Sequence, residues 1–166
     1  MSWNKLILIF VLNFFVFSYS AQQSSRVKVK LKIEFKSVEN FGKPLNNTIN
    51  YIYSDGQLID SVYCKKRTMN YLLEGAHLYK IEFSKNGYVN KHVIINTKDI
   101  PYNSKKRIKL KADINLFRKV SRINVAFLKT EPVSIAYYNF IKKSLIWDYD
   151  YNRSVVEKII EASLKR

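Results

Sequence analysis

The chain has 166 residues, room for one domain with additions, and its 29 lysines and arginines against 13 acidic residues give a formal net charge of +16. A single cysteine, Cys64, excludes an intramolecular disulfide and a cysteine-based metal site, and four glycines leave no glycine-rich phosphate cradle. So large a cationic excess attracts polyanions such as nucleic acid, anionic glycans or lipid headgroups, although a generally lysine-rich secreted protein has the same composition.

Met1 to Ser20 has the pattern of a secretory signal peptide. Lys5 supplies a positive start, Leu6 to Phe17 is an apolar run of 12 residues broken by Asn13, and Ser18-Tyr19-Ser20 places small residues where a signal peptidase cuts, after Ser20 or Ala21. A membrane-spanning helix needs about 20 apolar residues, so export is expected, with no transmembrane span once the leader is removed. No cysteine follows the run, which argues against a lipoprotein anchor. Without Lys5 the charge is +15, from 28 basic and 13 acidic residues.

Gln22 to Ser25 is a short polar leader. Arg26 to Lys36 alternates strictly: Val27, Val29, Leu31, Ile33 and Phe35 share one face of a predicted strand, and Lys28, Lys30, Lys32, Glu34 and Lys36 share the other. A face of lysines is wet, resists edge-to-edge aggregation or meets something acidic. A turn over Glu39–Pro44 precedes a strand from Thr48 to Tyr53. Asp55-Gly56 marks a tight turn into a strand over Gln57–Lys65, and Thr68–Leu73 is a further short strand. Cys64, in a strand context, is expected to be a buried inert thiol.

The most definite signal is His77 to Thr97, where Leu78, Ile81 and Phe83 alternate before Asn86-Gly87, and Val89 and Val93-Ile94-Ile95 follow. This predicts two antiparallel strands around a two-residue turn. Lys105 to Phe117 alternates again, with Ile108, Leu110, Ala112, Ile114 and Leu116 opposed to Lys109, Lys111, Asp113 and Asn115. Turn signals every 8–12 residues or so predict a mainly β fold, an antiparallel β-sandwich of about seven short strands over 26–117. In the extension, 118–166, Val133–Tyr138 and Ser144–Tyr151 predict a β-hairpin. Ser154-x-x-Glu157 has capping-box spacing, and Val155, Val156, Ile159, Ile160, Ala162 and Leu164 predict an amphipathic helix from about Asn152 to Lys165 that packs on the sandwich.

FGKPL at Phe41–Leu45 and EGAHLYKIEFSKNGY at Glu74–Tyr88 carry a resemblance. They resemble the first turn and the G-x-Y-x-I-x-F-x-K-x-G-Y stretch of carboxypeptidase-regulatory-like (transthyretin-type, CnaB-related) β-sandwich domains of secreted bacterial proteins. The resemblance spans residues 27–116 and departs at Asn46-Asn47, where a Gly-Ala pair is usual. It implies a sandwich fold and a non-catalytic accessory, adhesion or attachment role. The CnaB relation raises an isopeptide cross-link, which needs a buried lysine; Lys28, Lys30 and Lys32 alternate away from the apolar face, so none is expected.

Chemistry-bearing constellations are sparse. His77 and His92 flank the central hairpin and would approach one end of it if the strands paired evenly, yet no HxxxH, HExxH or GxSxG spacing is present, so both are expected to be ordinary surface histidines. Asp148-Tyr149-Asp150-Tyr151-Asn152 has calcium-loop spacing at its start but Arg153 and Ile159 where glycine and glutamate are needed, and its charge suits a helix N-terminus. Tyr51, Tyr53, Tyr63, Tyr137, Tyr138, Trp147, Tyr149 and Tyr151 suit a half-buried sheet surface, and beside cations they could stack on sugars or bases. The expected reading is an exported, periplasmic or surface-associated interaction or scaffolding module of the bacterial envelope, with no catalytic residue, metal or cofactor. A basic polyanion- or glycan-binding module is the alternative, through Lys28, Lys30, Lys32 and Lys36. A hydrolase comes last and requires a cleft joining His77 or His92 to a carboxylate. The expected partner is an envelope protein or an anionic glycan rather than nucleic acid, and the oligomeric state stays open.

Overall fold

The alternation after Val27 builds β1 (Lys28–Ser37) and fixes both of its faces. Val29, Leu31, Ile33 and Phe35 are fully buried, and the residues between them reach solvent. Burying each such side chain contributes about 1.5–3 kcal/mol, and a one-residue slip would turn the lysines inward, so the register is strongly set. The computed structural model describes residues 27–104, 107–120 and 123–164. The leader expected over 1–20 and the polar stretch 22–25 lie outside the described residues.

The later strands are β2 (Thr48–Ser54), β3 (Gln57–Cys64), β4 (Thr68–Glu74), β5 (Leu78–Ser84), β6 (Lys91–Asn96), β7 (Ile108–Leu116), β8 (Ser134–Asn139) and β9 (Ser144–Trp147), followed by helix α1 (Tyr149–Leu164). They form a sandwich: a three-stranded sheet in the order β4-β1-β7 faces a six-stranded sheet in the order β3-β2-β5-β6-β8-β9. Ile52, Ile81, Phe83, Val93 and Ile95 fill the core from the larger sheet, and Phe35 meets Phe83 across it, ring edge to face, at 5.7 Å. The mainly β, two-layer expectation holds, with a C-terminal helix.

Strand direction departs from the antiparallel expectation. β7 runs parallel to β1 (Val29↔Ile108 to Ser37↔Leu116), and β8 runs parallel to β6. Each enters after a long crossover rather than a tight turn, which is what parallel neighbours require. The extension thus supplies the outer strands of the larger sheet. Trp147 closes that flank by donating its indole N–H to the carbonyl of Lys111 on β7, at 2.7 Å.

The central turn also differs. Six residues separate β5 from β6; Gly87 has φ +78, Asn86 is not in the left-handed region, and Tyr88 N–H donates to Lys85 carbonyl at 3.0 Å. Tyr88 then leaves the hairpin to bridge Arg118, so Asn86-Gly87 closes a local turn instead of a two-residue hairpin. Asp55-Gly56 is the true two-residue connection, with φ of 48 and 88 and strands that close at Ser54↔Gln57.

α1 starts earlier than Asn152. Asp148 Oδ1 accepts the Tyr151 N–H at 3.0 Å, whereas Ser154 lies inside the helix and donates to the Tyr151 carbonyl. Val155 is fully buried, and Asn152 Nδ2 and Tyr151 Oη donate to the Val133 and Pro132 carbonyls, so the helix packs on the sandwich. Among the described residues, no helix is long and apolar enough to cross a membrane.

The free edge of β3 exposes Leu58, Ile59 and Tyr63, yet it is blunted. The pairing shifts between Ile52↔Asp60 and Tyr53↔Leu58, leaving Ile59 as a bulge. Asp60, exposed at the sheet edge, pairs with Ile52 and lies beside Tyr71, whose phenol is pushed up to about 12 by burial and by that carboxylate. The bulge opposes strand addition, and the edge carboxylate adds a charge there.

Candidate anion-binding face

The lysines of β1 lie on the outer face of the three-stranded sheet, but three of the four are engaged. Lys28 pairs with Glu74, Lys32 with Glu34 at 2.9 Å, and Lys36 with Asp113. The Lys32 ammonium holds the Glu34 carboxyl below its ordinary range. Lys30 is exposed and makes no ion pair among the described residues.

The parallel pairing with β7 brings further cations onto this face. Lys30 lies directly opposite Lys109 and Lys32 opposite Lys111, while the next position pairs Glu34 with Asp113. Neighbouring strands are about 4.8 Å apart, and like charges placed opposite each other destabilise a sheet. Lys109 and Lys111 are exposed and make no ion pair among the described residues. On the other side of Lys30, β4 places Leu72, which is half exposed. Two successive positions across β1 and β7 therefore present four lysines, with Leu72 beside Lys30 on the β4 side. A neighbouring groove is lined by Lys109, Lys111, Lys142, Tyr137, Trp147 and Tyr149 together with Asp148 and Asp150.

Lys109 and Lys111 were visible in the sequence as the polar half of an alternating strand. Their adjacency to Lys30 and Lys32 was not, because it joins segments far apart in the chain through a parallel contact. A second group the sequence reading missed is Lys91, which is buried at 8% exposure on β6. Its flank of the turn gave no signal, since Lys91, His92 and Val93 are buried consecutively and break the alternation.

The histidines separate. His77 sits beside Thr97, and its Nδ1 lies 2.6 Å from Asp55 Oδ2; His77 and the Leu78 N–H hold the Asp55 carboxyl down to about 2. His92 pairs across the strands with Glu82 near the other end. It is buried rather than on the surface, and burial is the main cause lowering its imidazole pKa. His92 and Glu82 both line one cleft, an arrangement able to exchange protons, though no hydroxyl or thiol is among its described lining residues. Among the described residues no group of three or more His, Cys, Asp or Glu could hold a metal ion. Cys64 is buried beside Asn50, which donates to its Sγ at 3.3 Å, and burial pushes the thiol up, away from the reactive thiolate. The aromatics are spread: Tyr138 is buried, Tyr63 and Tyr149 are exposed, and Tyr53 lies under Lys80 at 5.2 Å.

No family model matches the chain, and no curated protein matches it. Among solved structures it is similar to the Bacillus anthracis TIE protein, at 18% identity and a TM-score of 0.45 over 55% of this chain and 17% of that one. It is also similar to 3-chlorocatechol 1,2-dioxygenase from Rhodococcus opacus, at 8% identity and a TM-score of 0.41 over 59% of this chain and 62% of that one. The chain spans less than two thirds of the length of either.

Proposed function

We propose that this chain is an exported, non-catalytic interaction module of the bacterial cell envelope that holds an anionic glycan on the lysine face of its smaller sheet. The observation that carries this reading is the opposition of Lys30 to Lys109 and Lys32 to Lys111. A sheet gains nothing by stacking like charges across neighbouring strands, whereas a ligand rich in sulfate or carboxylate groups would relieve the repulsion. Export rests on the apolar leader of residues 1–20, and the kinship to carboxypeptidase-regulatory-like sandwiches on the Phe41–Leu45 and Glu74–Tyr88 motifs. Leu72, beside Lys30, adds an apolar contact of the kind a sugar ring accepts.

The test is retention of the mature chain on immobilised heparin through a salt gradient. Binding by exposed charges is screened at high ionic strength, so release is expected by roughly 0.5 M salt. A folded variant with Lys30, Lys32, Lys109 and Lys111 all changed to Gln should elute early. Retention indifferent to salt, or unchanged in that variant, overturns the proposal.

A further inference from the structure

At the end of the sandwich where β6 begins and β7 ends, a half-open cleft of about 380 Å³ lies between the start of β6 and described residues that follow β7. Val89, Phe117, Val120, Val125 and Leu128 form its apolar walls. Lys91 also lines it, and is the one buried lysine among the described residues.

The Lys91 ammonium is incompletely compensated. Its Nζ donates to the Asn115 carbonyl at 2.6 Å and lies 4.5 Å from the centre of the Phe117 ring. It makes no ion pair among the described residues, and the nearby carboxylates are otherwise engaged. Glu39 accepts from Ser37 Oγ and from the Arg118 N–H, and Glu82 from Asn90 Nδ2 at 3.2 Å, with Lys80 at 3.6 Å. A buried cation is costly unless an anion faces it, and a mostly apolar pocket with a few fixed polar groups is the usual form of a small-ligand site. Lys119 and Lys129, exposed on the lining, add the same sign.

We propose that this cleft binds a small carboxylate-headed amphiphile, its head against Lys91 Nζ and its aliphatic body along Phe117, Val120 and Leu128. The head-group contact uses none of the four lysines of the anion-binding face, although Lys111 lines the adjoining groove together with Lys91. Among the described residues, the charged and titratable groups that act on Lys91 or line its clefts are Glu39, Glu82, His92, Lys119 and Lys129 on this side, with Lys111 and Asp113 in the adjoining groove. Burial holds the Lys91 amine down to about 8, so the head group loses its cation above that pH.

The test is calorimetric titration of the mature chain with decanoate and with decanol, its uncharged counterpart, at pH 7 and pH 9.5. Decanoate should bind at least tenfold more tightly than decanol at pH 7, with the advantage shrinking at pH 9.5. Decanol, measured at both values, controls for any effect of pH on the fold and on the apolar contact, and the Lys91 and Lys119 variants separate the buried cation from its charged neighbours. Lys91→Met should abolish the advantage, whereas Lys119→Gln should reduce it no more than about threefold, as for a screened surface charge. Equal affinity for the two compounds, no binding of decanoate at millimolar concentration, or an advantage that survives both pH 9.5 and Lys91→Met overturns the proposal. Equal affinity of the two compounds, or no binding of decanoate, on the unaltered chain overturns the proposal even if the Lys91 variant fails to fold.

Discussion

Lys91 carries its charge where burial opposes it, and burial is the main cause that brings its amine from 10.5 down to about 8. The consequence for stability has a definite sign. Below about pH 8 the folded and unfolded chains both hold the proton, and the cost of burying the ammonium is felt in full. Between about 8 and 10.5 the folded chain has released it while the unfolded chain keeps it, so stability rises with pH across that window. The expected gain is about 3 kcal/mol at most. Urea unfolding at pH 7.5, 9 and 10.5 should show the unaltered chain gaining on Lys91→Met by an amount of this order, and a pH-independent difference between the two would contradict the assignment. Asp55 behaves conversely: held to about 2 chiefly by His77, its contribution is present above 3.8 and is lost as pH falls through 2.

Among the elements, α1 separates two readings of one sequence. Ser154-x-x-Glu157 has capping-box spacing, but the helix is already under way there, and Asp148 accepts the first-turn N–H of Tyr151. Asp148→Ala should therefore cost about 0.5–2 kcal/mol by removing the N-cap, and Ser154→Ala should change stability by no more than about 0.5 kcal/mol; chemical denaturation of the two variants checks this, and the reverse order would move the helix start to Ser154. On the inner side, Val155 is fully buried against the sandwich. Val155→Ala is expected to cost about 1–3 kcal/mol through lost burial and the cavity left behind, again by denaturation.

For the whole molecule, the legible part was what one strand reports about itself. The alternation in Lys28–Ser37 and Ile108–Leu116 separated core from solvent residue by residue, and Asp55-Gly56 announced its turn. Strand direction was not legible, because alternation of period two looks the same in parallel and antiparallel neighbours. The candidate face was half legible for the same reason: Lys28, Lys30, Lys32 and Lys36 share one side of a strand, but only the parallel register sets Lys109 and Lys111 against two of them. Asn86-Gly87 misled because Tyr88 is drawn out to Arg118, a contact set by a segment some thirty residues later. The central claim is that the opposed lysines serve binding at some expense to the sheet, and Lys109→Glu tests both halves. Placing a carboxylate opposite Lys30 should raise unfolding stability by about 0.2–1 kcal/mol while heparin retention of the same variant falls. A variant that is no more stable and is retained as strongly as the unaltered chain would contradict the account.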